Sequence, residues 1–99
     1  MGQLRYSDQA REDLLSVWAG IALHSESAAD RVIDLIYDRC ALLRDHPRLG
    51  PERPDIAEGA RALIVEKWIA FYRVIEGGVQ IVLVVDGRRD HSRLEWLTS

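Results

Sequence analysis

Apolar residues recur at helical spacing in the first half of the chain, and they form continuous runs in the second half. The first stripe predicts an amphipathic helix over about Ser7–Leu23, because residues three and four apart share one face of a helix. Ser7 or Asp8 offers the N-cap, while Asp13 falls away from the stripe. The stripe consists of Ala10, Leu14, Val17, Trp18 and Ile21.

A second stripe predicts a helix that begins near Ser27 and stops at His46-Pro47. Ser27 and Asp30 resemble a capping box with the shorter acid. Proline ends the helix because it disfavours helical geometry in the residue before it. The connection between the helices is short, so we expect them to be antiparallel neighbours. The second stripe consists of Ala29, Val32, Ile33, Ile36, Cys40 and Leu43.

Three apolar runs follow a proline-containing loop at 47–54, and they predict β-strands. Gly77-Gly78 permits the positive φ angles of a hairpin turn, and the short Leu4–Tyr6 segment could add an edge strand. The sequence therefore predicts an α+β fold in a single domain over residues 1–99, with an N-terminal helical hairpin packed on a three- to four-stranded antiparallel sheet. The runs are Ala60–Val65, Trp68–Ile75 and Val79–Val85.

Composition and charge narrow the possible functions. Thirteen Lys and Arg against sixteen Asp and Glu give a net charge of -3, which argues against direct nucleic-acid binding as the main activity. No apolar run approaches the roughly 18 residues of a membrane span, and the N-terminus lacks the apolar core of a signal peptide, so we expect a cytoplasmic protein. Cys40 is the only cysteine, which excludes an internal disulfide and predicts a small buried side chain. No phosphate loop, dinucleotide fingerprint or metal spacing indicates a cofactor.

The densest basic cluster follows the last apolar run. One interpretation is a contact surface for an acidic target or for phosphate, since arginine offers a planar fork of donors. The other is structural, with Asp90 pairing with a neighbouring arginine and fixing the chain after the sheet. Arg73 could reach the same face, or it could pair with Glu66 or Glu76. The cluster consists of Arg88, Arg89, Asp90 and Arg93.

Two further features are candidates for contact with a partner protein. Trp96 lies past the predicted sheet, where it could dock on the core or anchor an interface. Asp30, Asp34 and Asp38 recur every four residues and therefore line one helix face. This acidic ridge could meet a basic segment of a partner, or it could be a solvated face.

A set of residues from Tyr6 to Leu94 carries a family resemblance in its order and spacing. The chain resembles the ParE branch of the ParE/RelE superfamily, the toxins of bacterial type II toxin–antitoxin pairs. The resemblance implies an antiparallel sheet with a helical hairpin packed against it. The matching residues are Tyr6-Ser7, Ala10, Asp13-Leu14, Leu43, Pro47, Gly50, Gly59, Arg61, Phe71-Tyr72-Arg73 and Gly87-Arg88-Arg89-Asp90.

The resemblance also implies a function. ParE-like toxins poison DNA gyrase, whereas RelE-like relatives cut messenger RNA on the ribosome. A ParD-like antitoxin encoded beside the toxin would neutralise either kind by wrapping its C-terminal segment over the toxin in a hetero-oligomer. We therefore expect gyrase as the target of the basic cluster and Arg73. We expect an antitoxin as the partner of Trp96 and the acidic ridge.

RNA cleavage requires a base, an acid and cations for the phosphate, and this set is incomplete here. The strand that should carry the first basic residues has Arg61 and Lys67 only at its ends, and no tyrosine follows Arg89. Arg89 alone matches the phosphate-binding arginine of the ribonuclease relatives, and His91 is the one remaining candidate base. We therefore favour a toxin that binds protein over an enzyme. The alternatives are a ribosome-dependent ribonuclease that uses these residues and a non-toxic binding relative of the same fold.

Overall fold

Two helices pack on a four-stranded sheet in the computed structural model, which describes residues 2–88 and Trp96. This arrangement confirms the predicted α+β fold with its helical hairpin. Neither helix in this part of the chain is long and apolar enough to cross a membrane. The elements are β1 (Gln3–Tyr6), α1 (Asp8–Ala22), α2 (Glu26–Ala41), a 3-10 turn (Leu42–Arg44), β2 (Arg61–Val65), β3 (Trp68–Ile75) and β4 (Gly78–Asp86).

The strand order is β1-β4-β3-β2, and the sheet is mixed. The antiparallel pairings of β2 with β3 and of β3 with β4 confirm the predicted meander. The predicted edge strand also forms, but β1 runs parallel to β4, from the pair Gln3–Gly78 to the pair Tyr6–Ile81. The expectation of a wholly antiparallel sheet is therefore wrong at this edge. The chain between β1 and β4 includes both helices and the β2–β3 hairpin, a crossover long enough for parallel pairing.

Serine side chains cap both helices. Ser7 caps α1 as predicted, because its hydroxyl oxygen accepts a hydrogen bond from the amide of Ala10 at 2.9 Å. The cap of α2 is Ser25, whose oxygen accepts from the amide of Ala28 at 3.2 Å. The predicted N-cap Ser27 is therefore wrong by two residues, since Ser27 already lies inside the helix.

The sheet buries apolar side chains on both of its faces. The helices cover one face with the predicted stripes, in which Ala10, Ile36 and Leu43 are almost completely buried. A second cluster lies on the opposite face, which we call the outer face. Because β4 is covered on both sides, its sequence is nearly all apolar, as expected for a central strand. The outer cluster consists of Ala62, Ile69, Phe71, Val82 and Leu83, with Ile56, Val85 and Trp96 packed against it.

Two irregularities shape the β3–β4 hairpin. The register shifts between Phe71, which pairs with Leu83, and Tyr72, which pairs with Ile81, so β4 carries one extra residue in a bulge. The turn consists of Glu76 and Gly77, with a φ of +79° at the glycine. The predicted Gly77-Gly78 turn is thus displaced by one residue, and Gly78 instead begins β4.

Candidate interaction surface

Several residues of the family pattern hold the loop that follows the helices. The buried Tyr72 hydroxyl donates to the carbonyl oxygen of Pro47 at 2.8 Å and accepts from the amide of Gly50 at 2.9 Å. Burial raises the pKa of this phenol, so it stays protonated and can donate. A Cβ at Gly50 would fall on the carbonyl oxygen of Ala62, so only glycine fits there. These residues are structural.

Arg61 is part of the same network. Its Nη1 donates to the carbonyl oxygen of Gly50 at 2.7 Å, and its Nη2 lies 3.6 Å from a carboxylate oxygen of Glu52. Only 16% of the Arg61 side chain is exposed. The guanidinium that the ribonuclease alternative needs for phosphate is therefore engaged by the protein itself.

Lys67, the other cation expected at the ends of β2, lies far from Arg61. Arg61 begins β2, whereas Lys67 lies in the turn beyond the far end of the strand, about 13 Å away along β2. The ammonium of Lys67 lies 4.9 Å above the ring of Trp68, a cation–π contact. The structure does not bring these two cations together.

Arg88 is the described member of the predicted basic cluster. It follows β4, and 72% of its side chain is exposed. Asp86 holds it through three hydrogen bonds, to the backbone amide, to Nε and to Nη2, at 2.9, 3.3 and 3.0 Å. These bonds with Arg88 lower the pKa of Asp86 to about 2. Arg89, Asp90, His91 and Arg93 lie outside the described residues.

The structure separates Arg73 from Arg88. Arg73 pairs with Gln80, whereas Asp86 pairs with Trp68, five residues away along β3, or about 16 Å. The Nε of Arg73 donates to the side-chain oxygen of Gln80 at 2.8 Å, and neither predicted glutamate pairs with it. Arg73 therefore does not lie beside Arg88, and its grouping with the rest of the basic cluster stays a prediction.

Trp96 and the acidic ridge occupy different faces. Trp96 is half-buried against the outer cluster, so it docks on the core, one of the two predicted alternatives. On α2, Asp30 accepts a hydrogen bond from the indole nitrogen of Trp18 at 2.8 Å and ties the helices together. Asp34 and Asp38 are exposed on the same helix.

Asp13 has a role that its position off the apolar stripe did not indicate. Its Oδ2 accepts a hydrogen bond from the backbone amide of Val84 at 2.9 Å, and the Ser7 hydroxyl donates to the carbonyl oxygen of Val82 at 2.7 Å. The side chains of Asp13 in α1 and of its N-cap Ser7 thus bond to β4 beyond the end of β1. The signal in the sequence was the Asp13-Leu14 element of the family pattern.

Among the described residues, one edge of β3 is open beside an apolar cleft. The carbonyl oxygen of Gly77, just before β4, accepts from Gln3, and that of Ile81 in β4 accepts from Ser7, so Val79 between them also turns its peptide groups towards β1. Val74 opposes Val79, and its own amide and carbonyl therefore point away from β4. Since β2 reaches only as far as Tyr72, these groups of Val74 have no partner strand among the described residues.

The cleft beside this edge has a volume of about 470 Å³. Leu49 and Val74 expose 51% and 46% of their surface, although both are apolar. An open strand edge next to exposed apolar side chains is the arrangement that receives an extended peptide. The cleft is lined by His46, Pro47, Arg48, Leu49 and Val74.

This helical hairpin on a mixed four-stranded sheet has a counterpart among solved structures. A chain from the structure described as "Chromosomal ParDE TA system from P. aeruginosa" superposes with a TM-score of 0.76 at 24% identity, covering 87% of this chain and 96% of that chain. A search of curated protein sequences gives no match. The family model described as "ParE toxin of type II toxin-antitoxin system, parDE" matches residues 4–91. The chain therefore belongs to the ParE toxin family, which confirms the resemblance seen in its sequence.

Proposed function

We propose that this toxin acts by binding DNA gyrase, and that a ParD-like antitoxin encoded beside it neutralises it in a hetero-oligomer. The observation that carries the proposal is the ParE family match over residues 4–91. The engagement of Arg61 by Gly50 and Glu52 supports binding over RNA cleavage, because it removes a cation from the phosphate-binding set. The proposed function places the chain in the cytoplasm.

The gyrase contact in this proposal is the end of the sheet at Arg88. Asp86 holds the Arg88 side chain in one orientation, yet most of that side chain stays exposed. A held but exposed arginine loses little conformational entropy on binding, which favours its use at an interface. Arg89, Asp90 and Arg93 follow in the sequence and complete the proposed contact.

The antitoxin contact in this proposal is the cleft at Val74. A segment of the antitoxin would bond to the peptide groups of Val74 and place an apolar side chain between Val74 and Leu49. The exposed Asp34 and Asp38 remain candidates for a basic part of the antitoxin. Because Trp96 is half-buried on the outer cluster, its contribution to an antitoxin contact would come from its exposed edge.

A DNA supercoiling and cleavage assay with purified gyrase and ATP tests the proposal. We expect the toxin to stop supercoiling or to cause broken DNA to accumulate, and we expect the product of the neighbouring antitoxin gene to reverse the effect. Arg88→Ala should weaken the inhibition, whereas Arg39→Ala, at an exposed position on α2, should not. Gyrase that is unaffected by the wild-type toxin would contradict the proposed target.

A further inference from the structure

Two arginines flank a glutamine on the outer face of the sheet. In the register of the sheet, Gln80 of β4 pairs with Arg5 of β1 on one side and with Arg73 of β3 on the other. The neighbours of Arg5 in β1, Leu4 and Tyr6, pack on the helix-facing core, so alternation places Arg5 on the outer face. We call Arg5, Gln80 and Arg73 the arginine row.

Neutral amides hold both guanidinium groups of the arginine row. The Nε of Arg73 donates to the side-chain oxygen of Gln80 at 2.8 Å, and the Nε of Arg5 donates to that of Gln3 at 3.1 Å. An amide oxygen orients a guanidinium without cancelling its charge, and it leaves the terminal nitrogens available as donors.

Among the described residues the arginine row forms no ion pair, which is also true of Arg39, Arg44 and Arg48. The row is distinguished by the amide oxygens that orient its guanidinium groups. Within residues 2–88 and Trp96, no carboxylate lies within 4.0 Å of the Arg5 or Arg73 guanidinium. Both arginines are therefore oriented by the fold, and within the described residues their positive charge has no carboxylate partner. The arginines that do pair with carboxylates are Arg11, Arg31, Arg53, Arg61 and Arg88.

An open cleft of about 580 Å³ borders the row at Arg5 and Gln80. Arg11 lines the same cleft and adds a third cation. The carboxylate of Asp8 also lines it, and it lies 3.3 Å from Arg11 and almost entirely in solvent. The row and its cleft thus offer room and positive charge for an anionic group.

We infer that the arginine row binds the carboxylates of an acidic segment of a protein partner. Adjacent strands lie about 4.8 Å apart, so the Cα atoms of Arg5 and Arg73 are about 10 Å apart across β4. Carboxylates two residues apart on an extended segment project from the same face about 7 Å apart, and the length of glutamate side chains covers the remaining difference. Arginine matches a carboxylate with two parallel hydrogen bonds, which gives such a contact its specificity.

Protein carboxylates are a better fit than nucleic-acid phosphates. Two phosphate contacts supply little of the counterion release on which nucleic-acid binding depends. The net charge of -3 would also oppose a polyanion more than a short acidic segment. In a protein interface the remaining affinity comes from neighbouring apolar contacts, so two oriented arginines are enough to set the register. The inference does not depend on gyrase as the target.

A binding experiment with defined probes tests the arginine row. The probe is a fluorescein-labelled synthetic peptide of alternating Glu and Ser, and the reference is the same peptide with Gln in place of Glu. Fluorescence anisotropy should show binding of the acidic peptide only, and added salt should weaken it. In the ¹H–¹⁵N spectrum of the toxin, the peptide should shift the amide signals of Arg5, Arg73 and Gln80.

Matched variants distinguish binding by the arginine row from a non-specific effect of removing positive charge. Arg5→Gln with Arg73→Gln should weaken binding by about tenfold, as expected for two partly exposed ion pairs. Arg39→Gln with Arg44→Gln removes the same charge from exposed positions elsewhere and should leave binding within about twofold. Gln80→Leu keeps the charge but removes the amide that orients Arg73, so it should weaken binding by about threefold.

Three outcomes would overturn the inference. The first is equal weakening by the two double variants, and the second is a set of shifted signals that excludes the arginine row. The third is tighter binding of an oligothymidine of equal length, which would make the row a phosphate site. Circular dichroism of each variant confirms that its fold is retained, so a lost signal reports on binding.

Discussion

The phenol oxygen of Tyr72 accepts a hydrogen bond from the backbone amide of Gly50 at 2.9 Å, across 22 residues of sequence. The same oxygen donates to the carbonyl of Pro47 at 2.8 Å. One buried hydroxyl of β3 thus fixes both ends of the turn that leads out of the helices. Since Leu49 lies inside this turn, Tyr72 also positions one wall of the Val74 cleft.

Tyr72→Phe should therefore destabilise the protein by about 1–3 kcal/mol, because it leaves the buried amide of Gly50 without a partner. The free energy of unfolding from urea titration measures the effect. Tyr37→Phe is the control, since Tyr37 is exposed and its ring contact with Tyr6 does not use the hydroxyl. Equal losses in the two variants would contradict the role given to the Tyr72 hydroxyl.

Gly50→Ala should be costly for a steric reason. The new methyl group would fall on the carbonyl oxygen of Ala62 and lie against the Tyr72 ring, so the loop or β2 must move. We expect a loss of about 3 kcal/mol, at the upper end for overpacking. Gly20→Ala in α1 is the control. No heavy atom lies within 4 Å of its Cβ, so this change should stabilise by about 0.5–1 kcal/mol.

Asp13→Ala should destabilise the protein by about 1–3 kcal/mol, because the amide of Val84 loses its acceptor at a position that β1 does not reach. Asp13→Asn keeps an acceptor oxygen and should recover part of the loss. Glu12→Ala, at the exposed neighbouring position, should change stability by less than about 0.5 kcal/mol. Thermal unfolding followed by circular dichroism distinguishes the three variants. If Asp13→Ala does not lower the stability, water replaces the carboxylate as the hydrogen-bond acceptor of the Val84 amide.

Local sequence patterns predicted the helices and strands of this fold well. They did not indicate the direction of strand pairing or the polar contacts between distant residues. The spacing of Leu14 and Val17 placed α1 on the core correctly, because a helical period depends only on the local chain. The parallel direction of β1 depends on the whole intervening chain, so four residues of alternating pattern could not indicate it.

The candidate site was harder to predict for the same reason. The sequence allowed Arg73 to reach the same face as the basic cluster, yet the β3–β4 register puts Arg73 and Arg88 at opposite ends of the sheet. Asp13 looked like a solvated helix residue because its partner is a backbone amide 71 residues away. A hydrogen bond to a distant backbone group leaves no periodic signal in a sequence.

Cys40 makes the stability of this protein sensitive to alkaline pH. Burial raises the pKa of the thiol from 9.0 to about 11, and burial also raises the pKa of the neighbouring Tyr6. The unfolded chain therefore loses the Cys40 proton first as the pH rises. The free energy of unfolding therefore keeps its full value below pH 9.0, and it falls as the pH rises from 9.0 to about 11.

We expect the full loss to be about 3 kcal/mol once the pH is above 11, from a pKa shift of about two, and about half of that loss at pH 10. Urea titrations at neutral pH and at about pH 10 measure it, and Cys40→Ala should show a smaller difference between the two conditions. In the native protein the buried thiol should react slowly with a thiol reagent, and unfolding in urea should make the reaction fast. A native thiol that reacts as fast as the unfolded one would contradict its burial.

Val74→Asp should produce a toxin that its antitoxin no longer controls. The change puts a carboxylate into the apolar cleft beside the open edge of β3, where the proposed antitoxin segment would place an apolar side chain. Since 46% of Val74 is exposed, the fold should tolerate the change. Antitoxin affinity measured by isothermal titration calorimetry should fall at least about tenfold, because a charge desolvated without a partner opposes binding.

Ile64→Asp is the matched control for this change. Ile64 is also an exposed apolar strand residue, at 64% exposure, but it lies on β2, away from the cleft. Its substitution should leave antitoxin affinity unchanged. If Ile64→Asp weakens binding and Val74→Asp does not, the antitoxin pairs with the edge of β2. Inhibition of gyrase by Val74→Asp should equal that of the wild type without antitoxin, since the cleft and Arg88 lie at opposite ends of the sheet.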